Sequence, residues 1–454
     1  MSRNRAYKRT VVKRVDIEAL RERAVKWGGA GTTVGLDVGK DEIVACVRWP
    51  NGEFERPWSI RNPSEIDEFL ELLNMVQSVA DSLTIGLEST GTYGEAVRRA
   101  LTTAGFEVHR VSGKATSDYH EIFDGVPSQH DGKDAAVIAE LTAFGKGTAW
   151  PYQADSENLA AVKHQVARAE TYRKQQVEWT GRLEGLLARH WPELTALLPL
   201  GSVTLLQMVI HYQSPARVAA DAEAAQRLAR WGGAKLQESK IAQVIESGRT
   251  TRGVPVAEPQ AAWLGEVASN ILSARRHVRD AEGQLGKLLA AEPVLCRYTA
   301  IGAATLGVIW AYVGDPRDYS SGGAFLKALG LNLKERSSGR RQGELAITKR
   351  GPSAPRRWIF FWALRALQRE EIQPWYTEFT RVGRKSSADG KGEHRKLKGV
   401  VALMRKLCRG LRHAMVHQEE FDYGKLFDQS KKPRRRRRRN RRRSGIAHTT
   451  AAGT

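Results

Sequence analysis

Cysteine is scarce: Cys46, Cys296 and Cys408 lie far apart in 454 residues, in apolar surroundings, with no CxxC pair among them. That excludes a disulfide framework and a thiolate zinc site, and it fits three buried thiols in a reducing, cytoplasmic setting. Long apolar runs are missing too. None reaches the ~18–20 residues that a spanning helix needs, and no lipidation motif is present. The basic start, MSRNRAYKRTVVKRVDIEALRERAVKW, has no apolar stretch of the signal-peptide kind. Membranes are therefore not an expected partner. Acidic residues form the third shortage: 50 Asp and Glu stand against 72 Lys and Arg, a formal net charge of +22. About half of that excess sits in residues 431–443, where eleven of thirteen residues are basic, so the body stays basic without them. A nucleic acid is the polyanion that such a balance suits.

A chain of this length holds two or three domains, each with its own core. Residues 1–30 read as a basic, partly helical extension ending in WGGAGT. TTVGLDVGKDEIVACVRWPNGEFERPWSI then gives three β-rich runs broken by Gly39-Lys40-Asp41 and Pro50-Asn51-Gly52. IDEFLELLNMVQSV has apolar residues at i, i+3 and i+4, and a strand (SLTIGLE), a helix (YGEAVRRALTTAG) and a strand (FEVHRV) follow. This order predicts an α/β layer with a mixed sheet over residues 31–150.

Residues 151–291 read as a helical coiled-coil region. Leu264, Val267, Ile271, Ala274, Val278, Ala281, Leu285 and Leu288 alternate spacings of three and four, and Leu159, Val162, Val166, Ala169, Leu183 and Leu187 do so less strictly. The two helices could pair within one chain or between chains. A small helical insertion is expected at about 200–255. Residues 292–428 read as mostly helical, with a polar loop at 334–344 and the aromatic helix RRWIFFWALRAL. Residues 429–454 are an Arg-rich tail with almost nothing to bury, expected to be disordered in isolation and to grip RNA or DNA.

Asp37 sits inside the first strand (VGLDVG), and Glu88 ends a later one (TIGLESTGTY). A charge flanked by apolar residues is costly unless something compensates it. Neighbouring strands would bring the two carboxylates to one edge of the sheet. Asp131 and Asp134 open a helix, HDGKDAAVIAEL, with the i, i+3 spacing of one face. Four carboxylates at one place repel unless cations neutralise them, and hard oxygen ligands suit Mg²⁺ or Mn²⁺. Two such ions can stabilise the attacking and leaving oxygens of a phosphodiester. The plainer alternatives are capping of the helix dipole by Asp131 and Asp134, a turn role for Asp37 and a solvated Glu88.

In KERSSGRRQGELAITKRG, Ser338 precedes Gly339 among Arg336, Arg340, Arg341, Lys349 and Arg350. Guanidinium groups would hold a phosphate, while a serine hydroxyl needs activation to attack it. A basic loop that only clamps the DNA backbone is the alternative. Upstream, YTAIGAATLGVIWAYVGD is helix-hairpin-helix-like, with a glycine turn that can offer N–H groups to phosphate; its small residues also suit close helix packing.

Together, GLDVGKDEIV, the run Glu88 to Tyr93, and D-G-K-D-A at Asp131 to Ala135 resemble the DEDD tetrad of the insertion sequence 110 family of transposases. AIG, VGDPRDYSSGGAFLKALGLN, S-S-G and ITKRG are similar to that family's C-terminal transposase domain, and the likeness runs from about residue 31 to 420. The resemblance implies a RuvC-like, RNase H-type first domain, a coiled-coil link and a transposase domain. It also implies Mg²⁺ on Asp37, Glu88, Asp131 and Asp134, and attack by Ser338 to give a phosphoserine link to DNA. A non-coding bridge RNA would guide the reaction between donor and target DNA, and dimers or tetramers would join one chain's tetrad to another's serine. The basic extension, the insertion and the Arg-rich tail, with Arg434, Arg435 and Arg436, depart from the pattern. Tyr298-Thr299-Ala300-Ile301-Gly302 stands where the family has Ile-Pro-Gly-Ile-Gly, and Ser337 beside Ser338 is an alternative nucleophile. Two rival readings remain: a metal-dependent junction resolvase or nuclease that needs no serine, and an actin-like kinase. The kinase would require a second phosphate motif and an adenosine loop, neither of which is found.

Overall fold

A computed structural model describes residues 12–89, 91–338, 341–381 and 392–428, without the side chains of 336–338, 341–344 and 392–395. Arg340 and the tail residues Arg434, Arg435 and Arg436 lie outside the described residues. The chain divides into two compact units, residues 1–154 and 155–454. The first is a mixed α/β sheet unit and the second is mostly helical.

Helix α1 (Ile17–Trp27) starts at Asp16, whose carboxylate accepts from the Ala19 N–H at 3.1 Å. Its Leu20 and Ala24 join the core of the sheet, and Lys13 bridges to Trp58. Residues 12–27 therefore pack into the unit, where the sequence suggests an extension. Strands β1 (Thr32–Val38), β2 (Glu42–Arg48) and β3 (Trp58–Arg61) form an antiparallel meander. Then come α2 (Ile66–Gln77), β4 (Leu83–Glu88), α3 (Glu95–Thr103), β5 (Glu107–Val111), α4 (Gly113–Asp124), α5 (Asp131–Ala143) and the two-residue β6 (Thr148–Ala149). The sheet order is β3-β2-β1-β4-β5-β6, with β1, β4 and β5 parallel and β6 antiparallel.

Alternation along the central strands sorts their residues onto two faces. Val34, Leu36, Ile85 and Leu87 pack against Phe69 and Leu73 of α2 and Val97 and Leu101 of α3. The opposite face carries Thr33, Gly35 and Asp37 from β1, and Gly86 and Glu88 from β4. A Cβ at Gly35 would overlap the backbone of Ala135 and Ala139, and one at Gly86 would overlap the Thr142 hydroxyl. Helix α5 thus rests on bare strand backbone, fastened where the Thr33 hydroxyl donates to the Ala139 carbonyl at 2.9 Å.

The second unit is built on two long helices, α6 (Glu157–His190) and α12 (Glu258–Ala291), joined through α7 (Leu194–Leu197), α8 (Val203–Tyr212), α9 (Pro215–Ala220), α10 (Ala224–Gly232) and α11 (Glu238–Thr250). The long helices run antiparallel. Asn158 donates to Glu292 at 2.9 Å, Tyr172 stacks on His277 with centroids 4.3 Å apart, and Trp179 meets Trp263 at 5.9 Å. Within this chain the seam of α12 is thus filled by α6. One end of the pair, with Leu183, Leu187, Leu264 and Ile271, shares a core with Leu205, Leu228 and Val244 of the connecting helices.

At the other end, Val162, Val166, Leu285 and Leu289 join the core of the C-terminal elements. These are α13 (Ala303–Val313), α14 (Gly322–Ala328), β7 (Leu333–Ser338), β8 (Arg341–Ile347), α15 (Ser353–Ala366), α16 (Gln373–Arg381), α17 (Gly392–Val416) and α18 (Tyr423–Phe427). The polar segment at 334–344, expected as a loop, is an antiparallel hairpin of β7 and β8. Its Leu333 and Leu345 are exposed, so no core pattern announces these strands. The glycine turn before α13 is entered from a 3₁₀ segment, Cys296–Ile301, and Gly302 holds φ 108°. Arg365 covers that turn, donating to the Ile301 carbonyl and the Thr305 hydroxyl, each at 3.2 Å. Cys46 and Cys408 are buried, whereas Cys296 is partly exposed in this turn, against the expectation of three buried thiols.

Candidate active site

The parallel register pairs Leu36 with Leu87, so the next residues, Asp37 and Glu88, end neighbouring strands on the face that α5 covers. Because the glycines let α5 lie low, its first turn comes down over those strand ends. His130 caps the helix, its Nδ1 accepting from the Lys133 N–H at 3.2 Å, and Asp131 and Asp134 follow. Asp37, Asp131 and Asp134 each offer an oxygen, all within 4.8 Å of one another.

Glu88 stands outside that trio. Its carboxylate lies over Gly113 at the start of α4, where a Cβ would collide with Oε1. The Thr116 hydroxyl acts on this carboxyl and lowers it, while its own hydrogen bond goes to the Ser112 carbonyl at 3.2 Å. Asp134 in turn meets the Nε2 of His120. A carboxylate only accepts, so Nε2 carries the proton, and the buried Nδ1 has no hydrogen-bond partner among the described residues.

Burial, then the charges of Asp134, Asp131 and Glu88, push the Asp37 carboxyl up to about 6. Burial raises Glu88 as well, against the lowering influence of the Thr116 hydroxyl. These shifts measure how poorly the group tolerates its own charges. A divalent cation removes that penalty, and an all-oxygen donor set suits Mg²⁺ or Mn²⁺. Lys133, inside the D-G-K-D run, does not neutralise the acids. It is 3% exposed and donates to Asp124 at 2.7 Å and to the Val126 carbonyl at 2.6 Å, tying the end of α4 to α5.

In the second unit, Ser338 ends β7 and is paired with Arg341 across the hairpin. Arg336 belongs to the same strand, and the side chains of all three lie outside the described residues. Lys349 and Arg350 follow β8, both exposed, with Lys349 at φ 57°. The sequence reading passed over Gly113, Thr116 and His120. The available signals are the i, i+4 spacing of Thr116 and His120 and, beside it, the apolar series Ala115, Tyr119 and Phe123, which marks a helix over this stretch.

Two family models match the chain: a DEDD-type transposase model over residues 34–192, and the transposase model of the IS116/IS110/IS902 family over residues 292–379. The chain is 22% identical over 338 residues to the uncharacterized 44.8 kDa protein of insertion element IS116 from Streptomyces clavuligerus, covering 72% of this chain and 82% of that protein. It is also 22% identical over 316 residues to the uncharacterized 43.6 kDa protein of insertion element IS110 from Streptomyces coelicolor, covering 68% of this chain and 77% of that protein. One match falls on the stretch that holds the gathered acids and the other on the stretch that holds the serine hairpin, in chain order, and on these grounds the chain belongs to the IS110 family of transposases, enzymes that cut and rejoin DNA.

Proposed function

We propose that the first unit is a RuvC-like domain of RNase H type in which Asp37, Glu88, Asp131 and Asp134 hold Mg²⁺ or Mn²⁺, and that Ser338 is the nucleophile of a DNA recombinase. The observation that carries the reading is the trio of oxygens from Asp37, Asp131 and Asp134 within 4.8 Å of one another. The strand order, a meander leading into parallel β1, β4 and β5, supports the fold assignment. A bound ion would supply charge neutralisation at the phosphodiester oxygens.

The chain's own residues do the rest. The Ser338 oxygen bonds to phosphorus while one P–O bond to sugar breaks. The serine gives up its proton, and the freed sugar hydroxyl takes one. Attack by another strand's hydroxyl reverses the exchange and restores the serine. Arg336, Arg340, Arg341, Lys349 and Arg350 steady the phosphate, and residues 151–291 link the two catalytic parts. The resemblance adds guidance by a non-coding bridge RNA and assembly as dimers or tetramers. Such an assembly must use surfaces other than the α6–α12 seam, which is already filled.

The test uses labelled DNA, the transcript of the element's non-coding end and Mg²⁺. Wild type should give a DNA–protein adduct that survives denaturation, and Ser338→Ala and Asp37→Asn should both lack it. Cleavage retained in Ser338→Ala would select the junction-resolvase or nuclease reading. Strand exchange that proceeds without the transcript would remove the guide.

A further inference from the structure

Helix α4 contributes no acid to the candidate site, yet it is locked against the site from three directions. Ala115, Tyr119 and Phe123 pack on Val111, Val137, Ile138 and Leu141, which fixes the rotation of the helix against α5. Lys133 ties down its far end through Asp124 and Val126. At its start, Gly113 admits the Glu88 carboxylate where any side chain would block it. With the helix so fixed, Thr116 and His120, one turn apart, are 2% and 5% exposed and face the acids.

The chemistry of the two contacts is specific. The Thr116 hydroxyl donates to the Ser112 carbonyl at 3.2 Å and also lowers the Glu88 carboxyl, whose Oε1 rests against Gly113 one turn before it. His120 gives its Nε2 proton to Asp134 while its Nδ1 has no hydrogen-bond partner among the described residues.

We propose that α4 is the positioning element of the ion site: its His120 imidazole orients Asp134, and its Gly113, with Thr116 one turn on, seats Glu88. Each carboxylate has two oxygens, so one can be held by the helix while the other serves an ion. Holding both fixes in advance the orientation that the ion requires, and groups of this kind commonly carry ~10–100-fold in metal affinity. In this reading Thr116 and His120 both act through the carboxylates beside them and are positioning residues. The proposal rests on the reading of these acids as ion ligands.

Mn²⁺ binding to the full chain, free of nucleic acid, separates the two claims. The readouts are the dissociation constant by calorimetry and the Tm of the metal-free protein. His120→Ala and Thr116→Val should each weaken Mn²⁺ by ~10–100-fold while the metal-free Tm holds. His120→Gln, which can place an N–H near the Nε2 position, and Thr116→Ser should restore most of the affinity. They also serve as the test pair if the larger truncations fail to fold. Unchanged affinity in the truncated variants, or a loss that follows Tm and is not restored by Gln or Ser, overturns the positioning role. If Asp37→Asn and Asp134→Asn bind Mn²⁺ as wild type does, the ion site itself is wrong and both claims fall.

Discussion

Asp37 shows in one side chain what the cluster costs the fold. Its carboxyl is raised from 3.8 to about 6, by burial first and then by three neighbouring acids. The folded protein therefore keeps this proton to higher pH than the unfolded chain does. The stabilisation is complete below pH 3.8 and is lost as pH rises through about 6. In metal-free protein, Asp37→Asn should gain on wild type across that window, reaching ~1–2 kcal/mol after solvent screening is allowed for, while abolishing strand exchange. Thermal unfolding at several pH values checks the first part, and a gap that does not open with pH would count against it. Mg²⁺ at neutral pH should narrow the gap by stabilising wild type alone. Gly113 tests the same region by volume. Gly113→Ala meets only the mobile end of Glu88, so Tm should barely change while Mn²⁺ affinity falls. The acids were legible in the sequence because a charge inside an apolar strand stands out. Thr116 and His120 were not, because polar residues turned toward a polar site read like solvated ones, even though Ala115, Tyr119 and Phe123 mark the apolar face of the same helix.

Among the elements, the pairing of α5 with β1 and β4 brings the acids together, and it depends on two missing side chains. At Gly35 the obstruction is the α5 backbone, which has no rotamer to change. Gly35→Ala should therefore cost ~3 kcal/mol or more and lower Tm sharply, the opposite of Gly113→Ala. Equal Tm losses in the two variants would refute that contrast. Strands β1 to β5 and helices α2, α3 and α5 were readable because each has a buried face. The β7–β8 hairpin was not; LKERSS and RQGELAI are mostly polar, and Leu333 and Leu345 are exposed. The heptads of α12 gave the helix but not its partner, since an apolar seam is the same surface whether its complement comes from the same chain or another. Antiparallel contacts at Asn158, Tyr172 and Trp179 identify the complement as α6. Leu285→Ala should then cost ~2–5 kcal/mol in unfolding free energy and leave the mass in solution unchanged. A shift in mass by light scattering would point to a seam shared between chains.

Across the whole molecule, charge is distributed as two separable terms. Of the net +22, about half lies in residues 431–443 and the rest is spread over the body. Neutralising phosphates releases condensed counterions, so the affinity for duplex DNA should fall with salt at a log–log slope of about −0.9 per phosphate contacted. The tail carries eleven cations with almost no apolar residues between them, a composition suited to sequence-independent contact and not to catalysis. Deleting residues 431–454 should weaken binding to a generic duplex at low salt and flatten the slope by several units. The binding that remains should come from the body, because its own excess of positive charge is untouched. Anisotropy titrations over a range of salt concentrations separate the outcomes. An unchanged slope would mean that the tail does not touch the duplex, and a loss of all binding would mean that the body's charge is dispersed too widely to hold DNA alone. Under the proposed role of Ser338 and the acids, the truncated protein at saturating DNA should still form the adduct, which would separate holding the substrate from cutting it.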